Sequence, residues 1–281
     1  MKKISLCIPL LFFAIFASPA SAQNHWDNYI TEKTAERTYY VFGENVNIRT
    51  DADVKAAVMF RLQPGDQLKI IEKKNSVSEI DGTKEYWYRI DYKGKKGFVW
   101  GGLIADAGFA SQGKLILVRN LGVKKCSMEL RIVENGRTIS RLEWKSGPAG
   151  SSDDGYRLYT YGTGGLKNSP DMMFGIGFFH FSEIEYGYNS IQLFTLTKNG
   201  RLIDQFSWSP GACDPPVCGE TFVLFPGDTL KADPKIKRME YTGAQDTIRI
   251  IQHDYDIDNT SSHEYSSRDY KWDGVYFKQD E

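Results

Sequence analysis

Histidine and cysteine are scarce in this chain of 281 residues, four of each, and acidic and basic side chains cancel to a formal net charge of −1. Each scarcity excludes something. His25, His180, His253 and His263 are scattered, with no H-E-x-x-H spacing to hold a catalytic zinc. No G-x-S-x-G occurs, which removes the nucleophile elbow of the serine hydrolases. A near-zero charge leaves no basic footprint for nucleic acid or for an anionic bilayer surface, so neither is expected as a partner. No apolar run reaches the roughly 20 residues that cross a bilayer, so no transmembrane segment is expected. Nor does any cluster call for a cofactor.

What is present begins with Lys2 and Lys3, the apolar run "ISLCIPLLFFAIFA" and then "SPASA", with Ala20 and Ala22 placed as small residues for cleavage. Residues 1–22 therefore read as a secretory signal peptide, and a periplasmic or secreted protein is expected. Three cysteines lie beyond it. In an oxidising compartment Cys213 and Cys218, in "CDPPVC", are placed to bridge a tight Pro-stiffened loop and leave Cys126 single. The zinc alternative for this pair finds no second Cys or His pair nearby.

Aromatic residues make up 14% of the chain, a bias towards β structure. Residues 23–38 are polar and aperiodic, an N-terminal extension. From Tyr39 the chain turns to short β runs separated by turn signals at Pro64-Gly65-Asp66, Asp81-Gly82 and Lys93-Gly94. "VNIRTDADVKAAVMFRLQPGDQLKII" followed by "YWYRIDYKGKKGFVWGGLIA" resembles a bacterial SH3-like domain over residues 39–104. Val46, Ile48 and Arg49 fit the opening of that pattern. Leu62, Gly65, Leu68 and Ile70 fit its middle, Trp87 and Ile90 its Trp strand, and Gly97, Phe98 and Val99 its closing strand. Phe98 stands where the family usually has Trp, and "NSVSEIDGTKE" is a longer insert than the shortest members carry. The resemblance implies a small barrel with a binding role, its ligand a cell-wall peptide or another protein. Barrels of this kind generally use an aromatic-lined groove, and Tyr40, Tyr86, Trp87, Tyr92 and Trp100 are the candidates here.

"ADAGFASQG", residues 105–113, is small and Gly-containing and reads as a linker. Beyond it a motif recurs: "ELRIVENGRTISRLEW" at residues 129–144 and "QLFTLTKNGRLIDQFSW" at 192–208, with Asn135-Gly136-Arg137 aligned on Asn199-Gly200-Arg201 and Ile139 on Ile203. Asn-Gly favours the type I′ turn, which needs positive φ at both central residues, so two equivalent hairpins are expected. Further strand signals follow, and residues 114–281 read as one all-β domain, a sandwich or a propeller-like stack of sheets. The fold expected is all-β: an N-terminal SH3-like barrel and a larger C-terminal β domain with an internal hairpin repeat.

Two other chemistries have footholds. Asp254, Asp256 and Asp258 recur at period two, so a continuing strand would set three carboxylates on one face about 7 Å apart, a geometry open to calcium. Against it, Asn259 and Tyr265 stand where an EF-hand loop needs Gly and Glu, and an Asp-capped turn accounts for the same residues. Cys126 with a distant His would suit a thiol peptidase, yet "KKCSMEL" is an alternating strand, the ordinary setting of a buried thiol. The expectation is thus a non-catalytic envelope adaptor that binds peptidoglycan or an envelope protein. A wall-targeted hydrolase and a calcium-dependent binding domain are the alternatives.

Overall fold

The computed structural model describes residues 26–27, 33–121, 127–145, 154–180, 189–214, 216–259 and 262–280, and within them the protein is all-β. The expected signal peptide, half of the extension and Cys126 lie outside the described residues.

The N-terminal unit is one curled six-stranded sheet in the order Thr38–Tyr40, Gln67–Ile80, Thr83–Tyr92, Lys95–Trp100, Val46–Arg49, Val58–Leu62. Its alternation is legible residue by residue: Leu68 and Ile70 point inward while Gln67 and Lys69 face solvent, and Ile70 is the cross-strand partner of Ile90. With Val46, Ile48, Leu62, Tyr88 and Val99 these residues form the barrel core. The closing strand has to pass over Ile48, and Gly97 permits it: a Cβ there would lie 2.4 Å from the Ile48 side chain.

Residues 105–113 are not a linker. Ala107–Ser111 is a strand, paired with Lys114–Asn120 through a tight turn at Gln112 and Gly113, both at positive φ. Small residues suggested flexibility, but Ala107 and Phe109 point inward into a core, and Gly108 is small because the Tyr40 ring lies against it.

From there the chain builds three large antiparallel sheets and a two-stranded one, Thr229–Leu230 with Tyr241–Thr242. The first holds Ala107–Ser111, Lys114–Asn120, Ser127–Glu134 and Arg137–Lys145. The second holds Asp154–Tyr161, Met172–His180, Asn189–Leu196 and Leu202–Trp208, with Trp26–Asp27 at its edge. The third runs Gly211–Asp214, Val217–Leu224, Thr247–Asp256, His263–Trp272 and Phe277–Gln279. They stack face to face. Ile116, Leu130 and Trp144 of the first meet Leu158, Phe174 and Phe194 of the second, with Trp144 edge-on to Phe194 at 5.2 Å. On its other side the second sheet presents Met173, Leu193 and Trp208 to Ile248, Ile250 and Tyr270 of the third. Burial of both faces is the reason "MMFGIG", residues 172–177, is unbroken by any polar side chain.

The two copies of the repeated motif are both hairpins, but they are not equivalent. Asn135 and Gly136 take positive φ, 50° and 71°, as a type I′ turn requires. In the second copy only Gly200 does, at 81°, and the loop closes with Gly200 N–H on Thr197 O and Thr197 N–H on Arg201 O, one residue longer. The Thr197 hydroxyl accepts from Arg201 N–H at 2.9 Å and so holds the wider loop. A bulge in the first copy leaves Ile139 38% exposed, whereas its aligned counterpart Ile203 is 3% exposed.

The barrel is the fourth layer of the stack. Phe42, fully buried, packs with Ala105, Leu117 and Val133 on the outer face of the first sheet. Two guanidinium groups cover its ring, Arg131 at 4.3 Å and Arg119 at 4.9 Å, and Arg131 Nη1 donates to Phe42 O at 2.9 Å. Glu129 pairs with both arginines, at 2.8 and 3.2 Å. Beside this plug Lys33 makes a buried ion pair with Asp106 at 2.9 Å. Burial by itself pushes the Lys33 ammonium down, but the Asp106 charge and hydrogen bond outweigh it and hold the group above its ordinary value. A raised lysine keeps its stabilising contribution at neutral pH and loses it only as pH climbs through the folded-state value.

Removing one partner from a buried pair leaves an uncompensated charge, so Asp106→Asn is expected to cost about 3 kcal/mol or more in chemical denaturation at pH 7. Phe42→Ala is expected to cost about 3–5 kcal/mol, and Met59→Ala, at an exposed barrel position, under about 0.5 kcal/mol.

Candidate functional site

The five aromatic candidates of the barrel do not converge on one groove. Trp87 and Trp100 are cross-strand partners, 2% and 4% exposed, and both indole N–H groups are consumed by Ser78: Trp87 Nε1 donates to its hydroxyl at 2.8 Å and Trp100 Nε1 to its carbonyl at 3.1 Å. Tyr40 belongs to the seam with the first sheet, its ring against Gly108 and its hydroxyl accepting from Gln67 Nε2. Tyr86 and Tyr92 stay half-buried on the same strand face, but six residues of strand separate them by about 20 Å. Tyr86 carries the Lys73 ammonium 3.6 Å above its ring.

At Tyr92 the structure builds a platform. Its ring stacks on Phe60 with centroids 6.3 Å apart and planes at 26°, and its hydroxyl donates to Asp66 Oδ1 at 3.0 Å, which fixes the ring. Lys93 Nζ lies 5.0 Å from the Tyr92 centroid and Lys95 Nζ 5.9 Å from that of Phe60. Two partly buried rings, packed on one side against the barrel core and flanked by two ammonium groups, offer a small apolar surface and a place for an anionic group at its margin. Phe60, Lys93 and Lys95 were not among the sequence candidates. Phe60 sits in "AAVMF", part of the resembling segment in which no residue was matched to a motif position, and its pairing with Tyr92 is a contact across 32 residues of chain.

In the third sheet Asp256 caps a turn, its Oδ1 accepting from the backbone N–H of Asp258 and Asn259. Gln252 Nε2 donates to Asp254. Among the described residues no group of three Asp, Glu, His or Cys side chains gathers to hold a metal ion. The histidines give a different result. His253, 2% exposed, hydrogen-bonds through Nδ1 to Glu220 at 2.8 Å and through Nε2 to Nδ1 of His263 at 2.9 Å, and Tyr265 stacks on it at 4.2 Å. Ten residues separate the two histidines in sequence, a spacing with no motif; the antiparallel register of Thr247–Asp256 on His263–Trp272 brings them diagonally together. His25, the His180 side chain and Cys126 lie outside the described residues. Cys213 and Cys218, directly opposed across adjacent strands, are joined by a disulfide.

Residues 44–105 match the family model of the bacterial SH3 domain. The match covers five of the six strands of the curled sheet, under a quarter of the chain; Thr38–Tyr40 and the three stacked sheets fall outside it. No curated protein and no solved structure matches this chain. An SH3 domain of this family suggests a cell-wall or protein binding role, since such domains often bind cell-wall components and are typical of envelope proteins. Among the described residues no helix is long and apolar enough to cross a membrane.

A cross-link closing so short a loop restricts the unfolded chain by about 2 kcal/mol. The double variant Cys213→Ser, Cys218→Ser is therefore expected to lose about that much stability, read as a shift of the urea midpoint relative to the wild type under non-reducing conditions.

Proposed function

We propose that this is an exported, non-catalytic binding protein of the bacterial envelope, whose SH3 domain engages peptidoglycan peptide or an envelope protein through the Phe60–Tyr92 platform. The observation that carries the reading is the pairing of those rings with Lys93 and Lys95 around a tyrosine pinned by Asp66. A cell-wall peptide presents aliphatic side chains and free carboxylates, and this surface offers each a counterpart: ring faces for the first, ammonium groups for the second. The rings are pre-positioned, so little ordering entropy opposes binding. Export rests on the leader-like residues 1–22 read from the sequence.

The barrel is wedged onto the first sheet by Phe42, so excising it would uncover Leu117 and Val133, and point substitutions are the proper test. In a pull-down of the mature protein on purified peptidoglycan, wild type is expected to be retained. Loss of both rings in Phe60→Ala, Tyr92→Ala is expected to cut retention about tenfold or more, the scale of paired aromatic anchors at a binding surface. Retention unaffected by the double substitution moves the contact elsewhere on the protein, and no retention of wild type removes peptidoglycan as the ligand.

A further inference from the structure

The inward face of the third sheet changes character along its strands. At one end it is core: Ile248 pairs with Tyr270, and both are buried against the second sheet. One step further Ile250 pairs with Arg268, then Thr221 lies beside Gln252, then Gly219 beside Asp254. The side-chain period of two keeps all of these on the face that Ile248 occupies. Polar residues have replaced apolar ones where the core pattern would continue, and there the two sheets part.

The gap is a cleft of about 670 Å³. Trp208 at the end of the second sheet closes one side, the Ile250 side chain lies at its inner end, and Gly219 adds no side chain to its floor. Small-molecule sites occupy roughly 300–1,000 Å³, so the volume suits a ligand of several rings. Its wall on the third side is formed by Gly211, Asp214, Pro216, Val217 and Cys218, the last joined to Cys213 by the disulfide.

The lining decides the ligand class. Asp254 and Asp214 are acceptors, Arg268 is a donor, and Gln252 and Thr221 are both, while Trp208 and Ile250 provide apolar contact. Two carboxylates against one guanidinium disfavour a phosphate or a polyanion, and a wall this polar disfavours an acyl chain. A ring carrying neighbouring hydroxyls, each needing a donor and an acceptor, meets this polar array with a complement, and its C–H edge meets the small apolar margin that the largely buried Trp208 and Ile250 leave at the cleft. Gln252 Nε2 already donates to Asp254 at 3.1 Å, so part of the polar array is ordered before any ligand arrives. We infer that this cleft between the second and third sheets binds a short saccharide. It is a second binding site, independent of the SH3 domain and separated from it in the stack by the first two sheets.

The source of the saccharide, envelope glycan or a free oligosaccharide, is resolved by the probes. Isothermal titration of the intact mature protein would use three: the tetramer of N-acetylglucosamine, maltotetraose, and solubilised peptidoglycan glycan strands stripped of peptide. At least one is expected to bind. That binding is expected to weaken about tenfold or more in Arg268→Ala and in Gln252→Ala, each removing hydrogen bonds of which the Arg268 ones are charge-assisted. Arg268 and Gln252 are exposed, so both variants are expected to melt like the wild type, and Asp254→Asn gives a conservative third. Phe60→Ala, Tyr92→Ala is expected to bind the same saccharide with wild-type affinity, which separates this inference from the reading of the SH3 domain. The inference is overturned if none of the three probes binds at millimolar concentration. It is equally overturned if the cleft variants bind as wild type does, or if the saccharide is lost with the SH3 platform instead.

Discussion

The second sheet is apolar on both faces, and the rest of the architecture answers that constraint. Phe174, Phe194 and Leu196 on one side and Met173, Leu193 and Trp208 on the other each require a cover, and a single additional sheet supplies only one. Two flanking sheets satisfy the middle one but bring outward faces of their own. On the first, Leu117 and Val133 are covered by the SH3 barrel through Phe42. On the third, Phe222 and Tyr265 lie under the excursion between Leu224 and Thr247: Arg238 sits 5.5 Å from the Phe222 ring, and the Tyr265 hydroxyl donates to Ile236 O. Tyr265 in turn stacks on His253, an imidazole withdrawn from water that keeps polar partners, Glu220 and His263, on both ring nitrogens.

This arrangement changes the meaning of the SH3 domain. A module on a flexible tether samples orientations and is adaptable; one that forms the outer layer of a stack presents its ligand face at a fixed angle to everything behind it. The seam combines an aromatic plug, two guanidinium groups sharing one carboxylate, and a buried Lys33–Asp106 pair. Buried ionic groups are costly to mispair, so the seam tolerates one docking geometry and penalises others. The two proposed binding surfaces, the Phe60–Tyr92 platform and the inter-sheet cleft, belong to one such body, and engagement of one would set the local concentration of ligand at the other.

Within the barrel, local rules sufficed. Leu68, Ile70, Tyr88 and Ile90 alternate as a half-buried strand must, and Pro64-Gly65-Asp66, Asp81-Gly82 and Lys93-Gly94 turn where their φ preferences place turns. The candidate site was less legible. Trp87 is conspicuous in sequence, yet its indole is consumed by Ser78, whereas Phe60 gains its role from Tyr92, a partner visible only after the sheet has curled. Residues 105–113 misled because small residues read as flexible, although Gly108 is small to admit the Tyr40 ring from another part of the chain.

The amino-acid sequence alone determined the all-β class, the strand periodicities, the SH3 resemblance and the positions of most turns, because these depend on residues within a few steps of one another. Tertiary structure decided which aromatic rings stay partly exposed, that two histidines and Glu220 form one chain, and that twin Asn-Gly motifs close different turns. It also decided that the barrel is a layer and not an appendage. Each of these depends on cross-strand register and on which sheet covers which, and those are fixed only when apolar faces distant in sequence are buried together.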